Sequence, residues 1–423
     1  ILMQSMAQSA QQLQLATQQR LKAGDVSEQD ADRIAIEWSK AQGDVAQAQS
    51  EKIRSALVLQ QLTSLPGPVH GWQAQVSWPS ATPAQAGFDA AKLQAAVDHA
   101  AAHETPWPYD LAGHIGRGFF EAPPDNEVLG PLSPRGAPCG LITRHGALVT
   151  SWGDTREISQ TFSVAKSYLS MLTGIAWADG LIPDLDQRVG ETVKDGGFEG
   201  PQNGPITWRH LLQNMSEWEG TLFGKSDMID RGRDLGAEGQ GKKGMRQLQA
   251  PGTHWEYNDV RVNRLSLALL RRFGRPLPEV FAERILNPIG GSRDWRWDGY
   301  RTSWVTLDDG RRVQSVPGGT HWGGGVAIHA EDQARIGLLA LNRGRWAGSE
   351  ILPEQWFDWS TQACALNPSY GFLWWLNTSG ERFPSAARDA FFASGAGGNL
   401  TWVDPATGIV AVLRWTDPKA QDG

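Results

Sequence analysis

Two groups of short apolar strands bracket the main body of the chain, and most of what lies between them reads as helix and loop. Leu141-Ile142-Thr143 and Leu148-Val149-Thr150 flank Arg144-His145-Gly146, the pattern of a β-hairpin. Leu400–Val403 and Ile409–Leu413 flank an Asp404-Pro-Ala-Thr-Gly turn, and Leu373–Leu376 adds another strand. Helices are predicted over about Ser163–Ala178, Val260–Phe273 and Ala330–Asn342, while Asp184 to Trp255 mixes short helices with glycine-rich loops. Strands from both ends with helices between them predict an α+β domain. It would hold an antiparallel sheet flanked by helices, with an all-helical lobe inserted over about 180–320. This domain is placed at 84–423 and opens on a helix capped by Asp89 and carrying Leu93, Ala96 and Val97. Pro106–Pro138 holds little regular pattern.

Residues 1–65 differ in composition, being rich in Gln, Ala and Ser. Ser27 followed by Asp30 reads as an N-cap with an acidic first turn. Ala31, Ile34, Trp38, Ala41, Val45 and Ala48 then recur at alternating three- and four-residue steps. Such a narrow apolar seam predicts an N-terminal helical hairpin of coiled-coil type. Residues 66–83 form a linker rich in Pro, Gly and Trp. The segment Arg20-Leu-Lys-Ala-Gly-Asp-Val-Ser27 and its continuation to Leu65 resemble the helical-barrel hairpin of outer-membrane efflux proteins of the TolC type, and a generic polar hairpin is the other reading. Nothing in it carries chemistry.

Composition narrows the function. Lys plus Arg number 39 against 46 Asp plus Glu, a net charge of −7, which argues against surfaces built for nucleic acid or anionic lipid. Hydrophobic residues make up 40%, enough for a sizeable core. Cys139 and Cys364, the only thiols, make neither a disulfide scaffold nor a four-thiolate zinc site. No run approaches the roughly 18 apolar residues of a membrane span. What remains is an enzyme or a binding protein for small molecules. Ile1 is not a start residue and no leader pattern is visible, so the natural N-terminus is open. Cytoplasm and periplasm both stay open as compartments, and the oligomeric state is unread.

Several motifs are missing. There is no G-x-S-x-G elbow, no H-E-x-x-H and no Cys/His cluster. Gly236 to Lys243 approaches a phosphate-binding loop, but Lys243 stands where Ser or Thr would hold Mg²⁺, and a Gly/Lys-rich surface loop is the reading. No motif calls for a metal or an organic cofactor.

Three motifs carry the chemistry. In Phe162-Ser163-Val164-Ala165-Lys166-Ser167, Ser163 and Lys166 share a helix face. A serine hydroxyl needs a base, and a lysine surrounded by Val164, Leu169, Leu172 and Ile175 can lose its proton to serve as one. Ordinary helices also contain this spacing by chance. Tyr257-Asn258-Asp259 opens the next helix, and Tyr257 can shuttle a proton; alternatively Tyr257 merely packs there, with Asp259 as the cap. Ala393-Ser394-Gly395-Ala396-Gly397-Gly398 precedes the last strands, where small residues let substrate approach backbone N–H groups; a plain turn is the alternative.

Taken together these motifs resemble the serine β-lactamase and penicillin-binding-protein superfamily, in its class C-like branch with family VIII carboxylesterases and 6-aminohexanoate-dimer hydrolases. Ile206-Thr-Trp-Arg-His-Leu-Leu212, Asn287-Pro-Ile-Gly290, His321-Trp-Gly-Gly-Gly325, Asp332-Gln-Ala-Arg-Ile-Gly337 and Tyr370-Gly-Phe-Leu-Trp-Trp375 support the likeness, which runs from about Trp78 to Trp415. It implies a β-lactamase/transpeptidase-like fold with its site between sheet and lobe. It implies that Ser163 is the acylated nucleophile, Lys166 its activating base and Tyr257 the proton shuttle. Asp259, Ser394, Gly395 and Ala396 would meet substrate, and the N–H of Ser163 with one near Ala396 would form the oxyanion hole.

This sequence departs from the family pattern in three places. Asp259 replaces the asparagine of Y-x-N, so an anion would face substrate. Ala393 replaces the lysine of K-T-G, removing a grip on substrate carboxylates. Only a short tail follows Trp415, which would leave a sheet face partly exposed. The expectation is a serine hydrolase acting through an acyl-enzyme on small esters. An amidase (an aminohexanoate-oligomer hydrolase or weak β-lactamase) and a catalytically idle binding or scaffold protein are the alternatives. His321 is expected in a loop near the cleft, in a structural role ahead of substrate contact.

Overall fold

The computed structural model describes residues 78–233, 235 and 246–421. The hairpin expected at 1–65, residues 66–77 of the linker and the Gly236–Lys243 loop lie outside the described residues.

The main sheet is built from both ends of the domain. Its strands are β1 (Cys139–Arg144), β2 (Ala147–Trp152), β3 (Trp375–Leu376), β4 (Phe391–Gly395), β5 (Asn399–Asp404) and β6 (Ile409–Arg414), in the spatial order β3-β4-β5-β6-β1-β2. Every neighbouring pair is antiparallel. The closing contact is β1 on β6, in register from Cys139 opposite Arg414 to Arg144 opposite Ile409. The first hairpin turns through His145 and Gly146, whose φ values of 50° and 82° give the two-residue turn whose twist matches its strands. The strand expected at Leu373–Leu376 shrinks to Trp375–Leu376. Leu373 has a φ of 59°, a left-handed backbone that leaves the extended strand.

Helices α1 (Ala90–Ala102), α2 (Val164–Ala178), α3 (Asp259–Phe273), α4 (Ala330–Leu341) and α5 (Pro418–Gln421) are the ones that matter here. Asp89 caps α1, its carboxylate accepting the N–H groups of Ala91 and Lys92. The α1 end is tied to the chain's last turn: the His99 ring meets the Ala420 carbonyl at 3.2 Å and the Thr105 N–H donates to Trp415. Helix α4 packs on β6, β5 and β1. Gly337 permits that approach, since a Cβ there would lie 2.7 Å from Val410 Cγ1. Val410 and Val412 are buried on this face, while Ile142, Trp402, Ala411 and Leu413 on the other are half-buried.

Helices α2 and α3 pack on each other within the long insertion between β2 and β3. The span 180–320 expected to be all helical also holds short strand pairs, Thr221–Leu222 with Lys225–Ser226 and Trp304–Thr306 with Arg312–Gln314, where glycine-containing turns fold the chain back on itself. Val164 to Ala176 is buried without a break, as in a helix packed on every side. Helix α3 is buried from Asp259 to Leu270 although it carries Arg261 and Arg264, so each guanidinium needs an acid. Arg264 pairs with Asp195, and Arg261 pairs with Glu217 at 2.7 Å and Asp227 at 3.2 Å.

Glu217 is fully buried and also accepts both terminal nitrogens of Arg246, at 2.6 and 2.7 Å, and the Gln249 N–H at 2.8 Å. Burial alone would raise its pKa, but the hydrogen bond from Arg246 and the charge of Arg261 hold it down at about 2. Replacing Glu217 with Gln is expected to cost about 3–5 kcal/mol at neutral pH, the price of breaking one partner out of a buried pair. Because the folded-state pKa is depressed, this stability is present above the ordinary value of 4.5 and is lost as pH falls toward 2. Urea denaturation of both proteins across that window checks it: the gap between them should close with acid.

Candidate active site

Ser163 sits where a strand is wrenched into a helix. Ser159–Gln160 pairs with Gly325–Ile328, and the Thr161 N–H donates to Val326 at 2.9 Å. Phe162 then adopts a φ of 53°, strained for a bulky side chain, and turns the chain so that Ser163 becomes the N-cap of α2. The Phe162 ring is held edge-on by Trp107 at 5.3 Å and Trp415 at 6.1 Å. One helical turn on, Lys166 donates to Ser163 Oγ at 2.8 Å.

Tyr257 arrives from the segment before α3. Its ring stacks on Trp375 at 5.6 Å, and the Lys166 ammonium lies 4.7 Å from its centroid. The structure thus brings Ser163, Lys166 and Tyr257 together. Asn258 caps α3, accepting the Arg261 N–H at 3.2 Å, which leaves Asp259 as the first helical residue with its side chain turned inward.

That inward turn gives Asp259 a position different from the one expected. Its carboxylate is buried behind the lysine: Oδ1 accepts Lys166 Nζ at 2.5 Å, and Oδ2 meets Arg233 at 2.7 Å and His321 Nδ1 at 3.1 Å. The physical reason is the cost of leaving buried cations unpaired, which outweighs any contact with substrate. The lysine departs from expectation too. Burial works to lower its pKa, but the charge of Asp259, with help from Tyr257, raises it above its ordinary value. Lys166 therefore rests as an ammonium and not as the neutral amine its apolar flanks suggested. Burial pushes Asp259 the other way, and Lys166, His321 and Arg233 together hold it well below the usual carboxylate range.

Ser394, Gly395 and Ala396 form the opposite lip. A Cβ on Gly395 would fall 2.0 Å from the Thr161 carbonyl and 3.2 Å from the Ser163 nitrogen, so only glycine lets the end of β4 lie this close to the nucleophile. Asn399 fastens the turn by donating to the Ala396 carbonyl at 2.9 Å. Ser394 accepts a 3.3 Å hydrogen bond from Arg382, whereas Ala393 is buried and offers the cleft nothing. The cleft has a volume of about 810 Å³, and its lining joins aromatic rings, among them Trp107, Phe119, Trp255, Tyr257 and Trp375, with charged side chains that include Arg233, Glu381 and Arg382.

His321 does not reach the cleft. It is buried beside Asp259, with Nε2 at 2.9 Å from Glu121 Oε1, consistent with the structural role. Glu121, Asp230 and Arg233 complete this group, and sequence reasoning singled out none of them. Asp230 accepts the Asp259 N–H at 2.8 Å, and its burial, which outweighs the pull of Arg233, raises its pKa. Glu121, Asp230 and His321 lie close enough to suggest a metal site. Both ring nitrogens are already engaged, Nε2 with Glu121 and Nδ1 with Asp259 and more distantly Asp230, so an ion bound here would have to displace one of these contacts. Arg233 already supplies positive charge to Asp230, and with Lys166 to the neighbouring Asp259.

Among the described residues, no helix is long and apolar enough to cross a membrane. No curated protein matches the chain significantly. Solved structures do. A Bacillus anthracis protein assigned as a 6-aminohexanoate-dimer hydrolase shares 18% identity over 82% of each chain, with a TM-score of 0.50. A family VIII carboxylesterase shares 16% over 69% of this chain and 87% of its own, at 0.48. A penicillin-binding protein homologue from Caulobacter crescentus shares 15% over 75% and 96%, also at 0.48. At 18% identity the first of these speaks for the fold alone. The Beta-lactamase family profile matches residues 141–422, more than half of the chain, from within the first sheet strand to beyond the last. The chain therefore belongs to the beta-lactamase family and is a serine hydrolase with the β-lactamase/transpeptidase-like α+β fold.

Proposed function

We propose that the protein is a carboxylesterase-like hydrolase that passes through an acyl-enzyme on Ser163. The observation that carries this reading is the 2.8 Å hydrogen bond between Lys166 Nζ and the Oγ of Ser163, a residue that lines the cleft. Ser163 Oγ bonds to the ester carbonyl carbon, and the carbonyl electrons move to oxygen, facing the Ser163 and Ala396 N–H groups. The hydroxyl proton passes to Lys166 in its neutral form. Collapse of the adduct expels the alcohol, which takes a proton by way of Tyr257; water then repeats the attack and frees the acid. Since Asp259 keeps Lys166 charged at rest, only the fraction that has released a proton to solvent reacts, and activity is expected to rise into alkaline pH.

Aromatic side chains in the cleft favour apolar acyl and alcohol groups, and position 393 offers no cation, while Arg382 beside Ser394 keeps one positive charge on the same lip. An amidase is the second reading, favoured by the 6-aminohexanoate-dimer hydrolase among the structural relatives. Assaying a p-nitrophenyl ester, an aminohexanoate dimer and a chromogenic cephalosporin separates the cases. Ester turnover should lead. Preference for the dimer would make the protein an amidase, and no turnover of any of the three by folded protein would leave the binding or scaffold reading.

A further inference from the structure

The hydrogen-bond chain that starts at the candidate nucleophile does not stop at the lysine. It runs from Ser163 Oγ to Lys166 Nζ, across the Asp259 carboxylate to His321 Nδ1, and from His321 Nε2 to Glu121. Both imidazole nitrogens thus face carboxylate oxygens, at 3.1 and 2.9 Å. A neutral imidazole has one N–H and one lone pair, so it would set that lone pair against one of the two anions; only an imidazolium donates on both edges. The ring is fixed in this pose, stacked on Trp322 at 4.2 Å and against Phe120 at 4.7 Å.

We propose that His321, backed by Glu121, is a positioning residue for the Lys166–Asp259 pair: as a cation it takes a share of the Asp259 carboxylate and so sets how tightly that carboxylate holds the lysine's extra proton. The proposal rests on the reading of Lys166 as the base for Ser163. Its logic is a division of labour between two oxygens. Oδ1 of Asp259 serves Lys166 alone, while Oδ2 is drawn on by Arg233 and His321. Without the imidazolium, more of the carboxylate's charge falls on the ammonium, and Lys166 becomes a scarcer base.

The charged and titratable groups around His321 are Glu121 from the irregular segment after Gly116, Asp230 and Arg233 from the segment after Asp227–Ile229, Lys166 from α2 and Asp259 from α3. Lys225 lies on the Trp322 ring, 5.2 Å from its centroid. Burial opposes a charged His321, but Asp230, Asp259 and Glu121 prevail and raise its pKa. Charge on the ring is therefore sustained by contacts from several separate segments.

The test is the pH profile of kcat/KM on an activated ester for the wild type, His321→Gln and Asp259→Asn. In His321→Gln the ascending limb should move up by about one pH unit, the size expected for loss of one nearby charge. In Asp259→Asn it should move down, because the ammonium loses its anion. A His321→Gln protein that is slower at every pH by one factor, with its limb unmoved, overturns the proposal. An Asp259→Asn limb that stays in place shows that Lys166 is not the titrating base and removes the underlying reading instead. Nitrogen-15 NMR of the wild-type histidines needs no variant to fold: one ring should remain doubly protonated above pH 8. Finding every ring neutral there would sink the idea.

Discussion

Substituting Ser163 by alanine is expected to abolish ester turnover, by a factor on the order of 10⁶, the scale on which hydrolases lose rate when a nucleophile is deleted. The fold should survive, because Ser163 is half-buried and its hydroxyl makes no cap hydrogen bond to α2. An organophosphonate should label Ser163 and no other serine, as read by peptide mass spectrometry. The cleft tests that selectivity, since Ser369, Ser379 and Ser394 also line it. The first two bond to each other at 3.1 Å and Ser394 is held by Arg382, whereas Ser163 alone touches a lysine amine. Label on any of the three would transfer the nucleophile's role away from α2.

Lys166→Ala is expected to lose on the order of 10²–10⁴ in kcat, the range for a general acid–base group. It should also destabilise the protein, because Asp259 stays buried with its closest cation gone; breaking one side of a buried pair typically costs about 3–5 kcal/mol. The double variant Lys166→Ala with Asp259→Asn tells the two effects apart. Removing both charges together should recover much of the stability in urea denaturation while the rate stays low. Recovery of rate along with stability would mean that the lysine acts by holding the structure and not by moving a proton.

Much of the architecture was legible because it is written in local patterns. The apolar run Ile409–Leu413, the turn at His145-Gly146 and the apolar stretch after Ser163 each report on neighbours a few residues away. So does the spacing of Ser163 and Lys166. The charge state of that lysine was not legible, because it depends on Asp259, which the chain delivers from α3, and on Arg233, His321 and Glu121, which come from segments without regular pattern. Asp259 was noticed in the sequence and given the wrong neighbour. A departure from a familiar motif reveals that a group has changed, while the direction in which it points is fixed by the cap one residue earlier, Asn258. Glu121 had no signal at all: it lies in a proline-rich stretch, and only the packing of Phe120 on His321 gives it a place.

Phe162 has a consequence for anyone who would redesign the substrate range. The indole that clamps its left-handed backbone, Trp107, is also part of the cleft wall. Enlarging the acyl pocket at that position would loosen the brace that aims the hydroxyl. Variants at Trp107 should therefore trade catalytic efficiency for breadth even on substrates that fit both forms.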